Sequence, residues 1–206
     1  TTMRETGRDF DGVLAEAQEL GYAEADPTFD VDGIDAAHKL ALLASVAFGC
    51  EVDFDNVHVE GIRHVSAEDI AFADELGFRI KLLGIANHSP DGIEQRVYPC
   101  MVPMDAPLAH VEGVFNAVVA EGDAVGTSVL QGRGAGAGPT ASAVISDIVD
   151  IARGTILPVV SVPASQLSVA KTVSIENRFG PYYLRLAVLD RPGVIAGVSA
   201  ALRDEE

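Results

Sequence analysis

Ile34-Asp35-Ala36-Ala37-His38-Lys39-Leu40-Ala41-Leu42-Leu43-Ala44-Ser45-Val46-Ala47-Phe48-Gly49 reads as one helix whose charges gather at its start. Asp35 and Lys39 stand four residues apart and so share a face. From Leu40 to Phe48 no residue on any face is charged, which predicts a helix buried on all sides. Gly49 is a natural stop. Upstream lies an acidic loop, Tyr22-Ala23-Glu24-Ala25-Asp26-Pro27-Thr28-Phe29-Asp30-Val31-Asp32-Gly33, where Pro27 forbids a continuous helix. Before that loop, residues 11–20 carry Val13, Leu14 and Ala17 as one apolar stripe, with Asp11 as N-cap and Gly21 as stop.

Downstream, strand and helix signals mix. Val57 to Ile62 alternates like a strand. Ser66, with Glu68 and Asp69 behind it, opens a short helix to Leu76, stopped by Gly77. Residues 79–86, 94–102, 112–119 and 124–130 read as strands between Pro, Gly and Asp turns. Gly132-Arg133-Gly134-Ala135-Gly136-Ala137-Gly138-Pro139-Thr140 is the most glycine-dense stretch. It precedes a helix over 141–152 with Val144, Ile145, Ile148, Val149 and Ala152 on its apolar face. This order predicts an α+β fold, a mixed or antiparallel sheet packed with helices.

Residues beyond Gly154 are rich in Pro, Ser and Val and weakly periodic, like a linker. Tyr182 to Leu189 alternates as a strand. Asp190-Arg191-Pro192-Gly193 makes a turn, and Val194 to Leu202 begins a helix. A lone strand and helix cannot bury both their faces. With the abrupt start at Thr1, this predicts a fragment of a longer protein. The expected division is a first domain over 1–153, a linker over 154–180 and a partial domain over 181–206.

The chain has 206 residues, room for one or two domains at about 150 residues each. Its net charge of −17 repels phosphate backbones, so a nucleic-acid role through a basic surface is not expected. Cys50 and Cys100 form no CxxC pair, and the reducing cytosol is the expected compartment. The apolar run Leu40 to Phe48 is far shorter than the roughly 18 residues of a membrane span. The first residues hold no apolar core of a signal peptide.

Glu24, Asp26, Asp30, Asp32 and Asp35 crowd ahead of Lys39. On a generic helix, Asp35 and Lys39 would be a surface ion pair worth about 0.3–0.5 kcal/mol. At the mouth of a buried helix, the lysine would instead be partly desolvated while carboxylates hold its proton, an opposition suited to proton transfer. Calcium is the rival reading, because Asp30-Val31-Asp32-Gly33 imitates part of a calcium loop. Thr28 and Lys39 stand where that loop needs acidic ligands, so no metal is expected. Gly132 to Ala137 formally matches G-x-G-x-x-A between a strand and a helix. Tight packing and contact with an anionic ligand both explain it. His38, His58, His64, His88 and His110 lack metal-ligand spacing and read as structural or surface residues.

Leu20-Gly21-Tyr22-Ala23-Glu24-Ala25-Asp26-Pro27, then Asp30, then Gly33-Ile34-Asp35-Ala36-Ala37-His38-Lys39-Leu40 resembles the signature of the homoserine dehydrogenase family. The glycine stretch from Gly132 to Val144 is similar to the family's C-terminal return toward a Rossmann nucleotide-binding domain. Tyr183 to Leu202 resembles the opening βα of an ACT regulatory domain. The resemblance implies interconversion of L-homoserine and L-aspartate 4-semialdehyde with NAD or NADP, in threonine, methionine and isoleucine biosynthesis. It implies Lys39 as the catalytic lysine and Asp35 as its acidic partner. Glu24 and Asp30, with Gly21 and Tyr22 of the same signature, fall at the substrate site. Gly136, with Gly134 beside it, falls at the cofactor.

The resemblance further implies a cytoplasmic homodimer or larger homo-oligomer, and threonine as an effector of the complete protein. The family's main Rossmann half and its sodium site are absent from this chain, so turnover by the chain alone is not expected. An amino-acid-binding module of the ACT type is the alternative reading.

Overall fold

The computed structural model describes residues 2–20, 23–134, 136–155, 160, 162–178, 180–189 and 191–204. Two helices open the chain, α1 (Thr2–Thr6) and α2 (Phe10–Glu19). The N-cap of α2 is Asp9, two residues before the Asp11 expected from the apolar stripe. A single helical turn, α3 (Thr28–Val31), forms after Pro27 and interrupts the acidic loop. It runs through Gly33 into α4 (Ile34–Phe48), which has the bounds the sequence predicts.

The central sheet is built from β1 (His58–Val59), β2 (Phe78–Ser89) and β3 (Gly92–Pro103), in the order β1-β3-β2. β2 and β3 form an antiparallel hairpin, with Ser89 opposite Gly92, and β1 lies parallel to β3. Between β1 and β2 lies α5 (Ala67–Glu75). Its N-cap Ser66 and Asp69 form a reciprocal capping box, satisfying two amides that a helix start leaves unpaired. The core sits where α4 lies on the sheet: Ala37, Leu40 and Ala41 pack with Val57 and Val97, flanked by Phe54, Val59 and Leu82.

A second antiparallel hairpin follows, β4 (Phe115–Gly122) and β5 (Gly126–Arg133), and leads into α6 (Ala137–Ala152). α6 begins four residues earlier than the sequence reading. Pro139 is tolerated there because first-turn amides have no intrahelical partner. The chain is thus α+β with mixed and antiparallel sheets packed with helices.

Two expectations need correction. α4 is not buried all round: Ala37, Leu40, Ala41, Ala44 and Ser45 are buried, but Leu42 is 57% exposed and Leu43 and Val46 are exposed with it. Uncharged composition marks a face that can be buried, and in this chain only one side meets the sheet. Residues 181–189 form no strand, so of the strand and helix expected there only a helix forms, α7 (Val194–Asp204). A strand needs a ladder partner, and among the described residues none runs beside this segment. Side chains anchor it instead. The Tyr183 hydroxyl donates to Asp69 at 3.1 Å, and Arg185 pairs with Asp69 at 2.7 Å and with Glu68 at 2.8 Å. Asp190, in the predicted turn, lies outside the described residues.

The segment read as a linker is docked. β1 covers only Arg96 and Val97 of β3, leaving the backbone of Ile93 open. Residues 171–173 fill that edge. Ile93 N–H donates to the Lys171 carbonyl at 2.8 Å, and Val173 N–H to the Ile93 carbonyl at 3.0 Å. Arg178 then lies over the Tyr98 ring at 5.8 Å.

Candidate functional site

The site is built at the corner between α3 and α4. Gly33 makes that corner, with φ at 81° in the left-handed region and as N-cap of α4. A Cβ there would stand 3.2 Å from Val97 and 3.4 Å from Val59. Only glycine meets both demands, and it brings the start of α4 flush against β3 and β1. The corner is tied down again by Ile62, whose N–H donates to the Val31 carbonyl at 2.9 Å.

On α4, Asp35 occupies the first turn, where the helix dipole favours a carboxylate. Lys39 is one turn on and pairs with it, acid N-terminal to base, the better orientation of such a pair. The lysine side chain is 70% exposed. The desolvated lysine expected from an all-buried helix is therefore absent in this chain, because α4 leaves that side of its surface uncovered.

Three of the five acids have partners within the chain. Asp35 is paired with Lys39. Asp26 accepts from the Thr28 amide at 3.1 Å. The Thr28 hydroxyl, and after it this amide, hold the Asp26 carboxyl below its usual range. Asp32 is paired with Arg63, whose guanidinium also reaches the Thr28 hydroxyl at 3.3 Å. Asp32 is thus committed to a cation, which argues against the calcium reading of Asp30-Val31-Asp32-Gly33. Among the described residues, no group of three or more His, Cys, Asp or Glu is placed to hold a metal. Glu24 and Asp30 differ from the other acids. Both are exposed, and among the described residues their carboxylates have no hydrogen-bond or ion-pair partner. Only backbone groups are engaged: the Glu24 carbonyl accepts from Gln18 at 2.8 Å, and Asp30 N–H donates to the Pro27 carbonyl at 3.1 Å. Gly21 and Tyr22 lie outside the described residues.

Sequence reasoning missed Arg63 and the surroundings of His38. Arg63 lies 31 residues from Asp32, so no local spacing announces the pair. The His38 ring stacks on Phe54, centroids 4.0 Å apart and planes at 8°, and faces Phe29 at 5.7 Å.

Gly134 and Gly136 belong to the β5–α6 connection rather than to this corner. A Cβ on Gly134 would stand 2.0 Å from the side-chain amide of Asn116 on β4, so a larger residue there would have to move the end of that side chain. Gly136, at φ 113°, is the N-cap of α6 and supplies no capping side chain. The first amides of α6 are therefore left to other partners, which suits close approach by an anionic group. Among the described residues, no helix is long and apolar enough to cross a membrane.

The model of the homoserine dehydrogenase family matches residues 1–149. The chain belongs to the homoserine dehydrogenase family. It is 49% identical over 208 residues to the homoserine dehydrogenase of Pseudomonas aeruginosa, covering 98% of this chain and 48% of that protein. It is 44% identical to that of Neisseria gonorrhoeae, with the same two shares. The crystal structure of a homoserine dehydrogenase from Thiobacillus denitrificans superposes with a TM-score of 0.85 at 44% identity, covering 98% of this chain and 48% of that one. A hyperthermophilic archaeal homoserine dehydrogenase solved in complex with NADPH matches at a TM-score of 0.59 and 35% identity, over 74% of this chain and 43% of its own. The chain spans about half the length of the curated homoserine dehydrogenases it matches.

Proposed function

We propose that this chain is the substrate-binding and proton-transfer part of an NAD(P)-dependent homoserine dehydrogenase, interconverting L-homoserine and L-aspartate 4-semialdehyde. The observation that carries this reading is the division of labour among the acids. Asp26, Asp32 and Asp35 are committed within the chain, while the Glu24 and Asp30 carboxylates are left over. An amino-acid substrate brings an ammonium, and two uncommitted carboxylates are what such a group requires.

Lys39 acts on the substrate oxygen. In the reducing direction that oxygen gains negative charge, and the lysine ammonium donates a proton to it. Asp35 pairs with the lysine and directs it. Glu24 and Asp30, with Gly21 and Tyr22, hold the amino-acid end of the substrate. NADH or NADPH would supply the hydride in that direction and NAD⁺ or NADP⁺ would accept it in the reverse, and Gly134 and Gly136 ahead of α6 would lie against the cofactor. The free cysteines, Cys50 and Cys100, are in keeping with the cytoplasm. Exposed Val118, Val129 and Leu130 on the second hairpin support pairing with a second copy. Threonine is the effector to test on the complete protein, in which residues 181–204 would contribute to an amino-acid-binding ACT module.

The test is turnover of L-homoserine with NADP⁺ by this chain joined to the part of the Pseudomonas relative that it does not span. Activity there, lost in Lys39→Ala and absent from the chain alone, is the expected result. Full activity in Lys39→Ala would contradict the assignment.

A further inference from the structure

We propose that Phe29, His38 and Phe54 form a clasp that sets the Asp30 carboxylate relative to Lys39, which makes His38 a positioning residue for the amino-acid substrate. The inference rests on the substrate reading above and deepens it.

α3 is a single turn of four residues, too short to hold its own geometry. Something outside it must fix where Asp30 points. Arg63 holds its two ends, at Thr28 and Asp32, and buried Val31 holds its inner side. The ring stack ties it to the part of α4 that carries Lys39. Phe29 immediately precedes Asp30, and His38 immediately precedes Lys39, so the contact between these rings lies one residue from each of the two groups.

The stack has a fixed end. Phe54 packs against the core cluster of Ala37, Leu40, Ala41, Val57 and Val97, and the His38 ring lies nearly parallel on it. Phe29 is the outer ring and is 51% exposed. Burial of Phe29 therefore explains little of its placement, and the contact with His38 is what holds it. A flat ring at position 38 is the requirement, because stacking uses the ring face.

The experiment is a titration of the full isotope-labelled chain with L-homoserine, followed by NMR. It is repeated on the chain joined to the remaining part of the Pseudomonas relative if the chain alone does not bind. His38→Ala is expected to raise Kd about fivefold to tenfold, and His38→Phe, which keeps a ring, to stay within about twofold. Phe29→Ala removes the exposed ring and is expected to match His38→Ala, which covers the case in which His38→Ala fails to fold. A merely structural effect would add to that of Asp30→Asn. A clasp acting through Asp30 leaves no further loss when His38→Ala, or Phe29→Ala in its place, is added to Asp30→Asn. Unchanged affinity in both ring variants, or full additivity with Asp30→Asn, overturns the clasp alone. Failure of the joined wild-type protein to bind L-homoserine overturns the substrate reading and the clasp with it.

Discussion

Arg63 reaches from the loop after β1 to the carboxylate of Asp32, across 31 residues of sequence, and removes that acid from the set available to a substrate. The pair is partly exposed, so its own stabilisation is of order 0–1 kcal/mol. Its larger consequence is selection among neighbouring carboxylates that look equivalent in sequence.

That selection makes a graded prediction. Glu24→Gln and Asp30→Asn should each weaken L-homoserine binding about tenfold or more, since each removes a charge-assisted bond to the ammonium. Asp32→Asn, which leaves Arg63 its contact with Thr28, should weaken binding less than either and lower stability by no more than about 1 kcal/mol. Calorimetry of the three variants, with melting curves alongside, gives the ranking. Equal losses in all three would remove the distinction.

Lys39→Ala should separate chemistry from folding. Loss of a proton-transfer group lowers kcat by roughly 10²–10⁴. Loss of an exposed i,i+4 pair costs the fold only about 0.3–0.5 kcal/mol. Steady-state kinetics on the completed enzyme and urea unfolding of the chain read the two effects. A large loss of stability with kcat intact would reverse the roles.

Gly33→Ala should destabilise the chain by about 1–2 kcal/mol, because a Cβ in the left-handed region is strained and would press on Val97. Chemical denaturation measures it. A neutral result would mean the corner can relax, and the fixed placement of α4 would be lost with it.

Asp69 carries the pH dependence of the docked C-terminal segment. Burial pushes its carboxyl upward. The Ser66 hydroxyl and amide, the Tyr183 hydroxyl and Arg185 together outweigh burial, so its pKa lies below the usual range. A carboxylate depressed by folding stabilises the native state above its unfolded pKa, near 4, and that contribution is lost as pH falls through the folded value. Melting temperature should therefore fall below about pH 4. Proteolysis within residues 181–189 should rise over the same range. Asp69→Asn should flatten both profiles, whereas a profile unchanged by that substitution would place the titration elsewhere.

The sequence was most legible where local chemistry decides the outcome. Ser66 and Asp69 announce a helix start by spacing alone, and Gly49 announces a helix end. Strand identity was legible from alternation, but strand order was not, since β1 joins β3 rather than its sequence neighbour β2. α3 was missed because a four-residue turn leaves no period to detect. The residues between Val162 and Arg178 looked like linker because their partners, Glu51, Ile93 and Tyr98, are far away in sequence. The acids of the site were all visible in the sequence. Which of them are committed became visible only once Arg63 and Lys39 were placed.

The central claim is that the α3–α4 corner receives an amino-acid ammonium on Glu24 and Asp30 beside Lys39. Its most direct test is isotope-edited NMR of the chain during titration with L-homoserine. Saturable shifts at Glu24, Asp30, Asp35 and Lys39, lost in Glu24→Gln, are the predicted result. Absence of those shifts, both in the chain alone and after joining it to the part of the Pseudomonas relative that this chain does not span, would contradict the account.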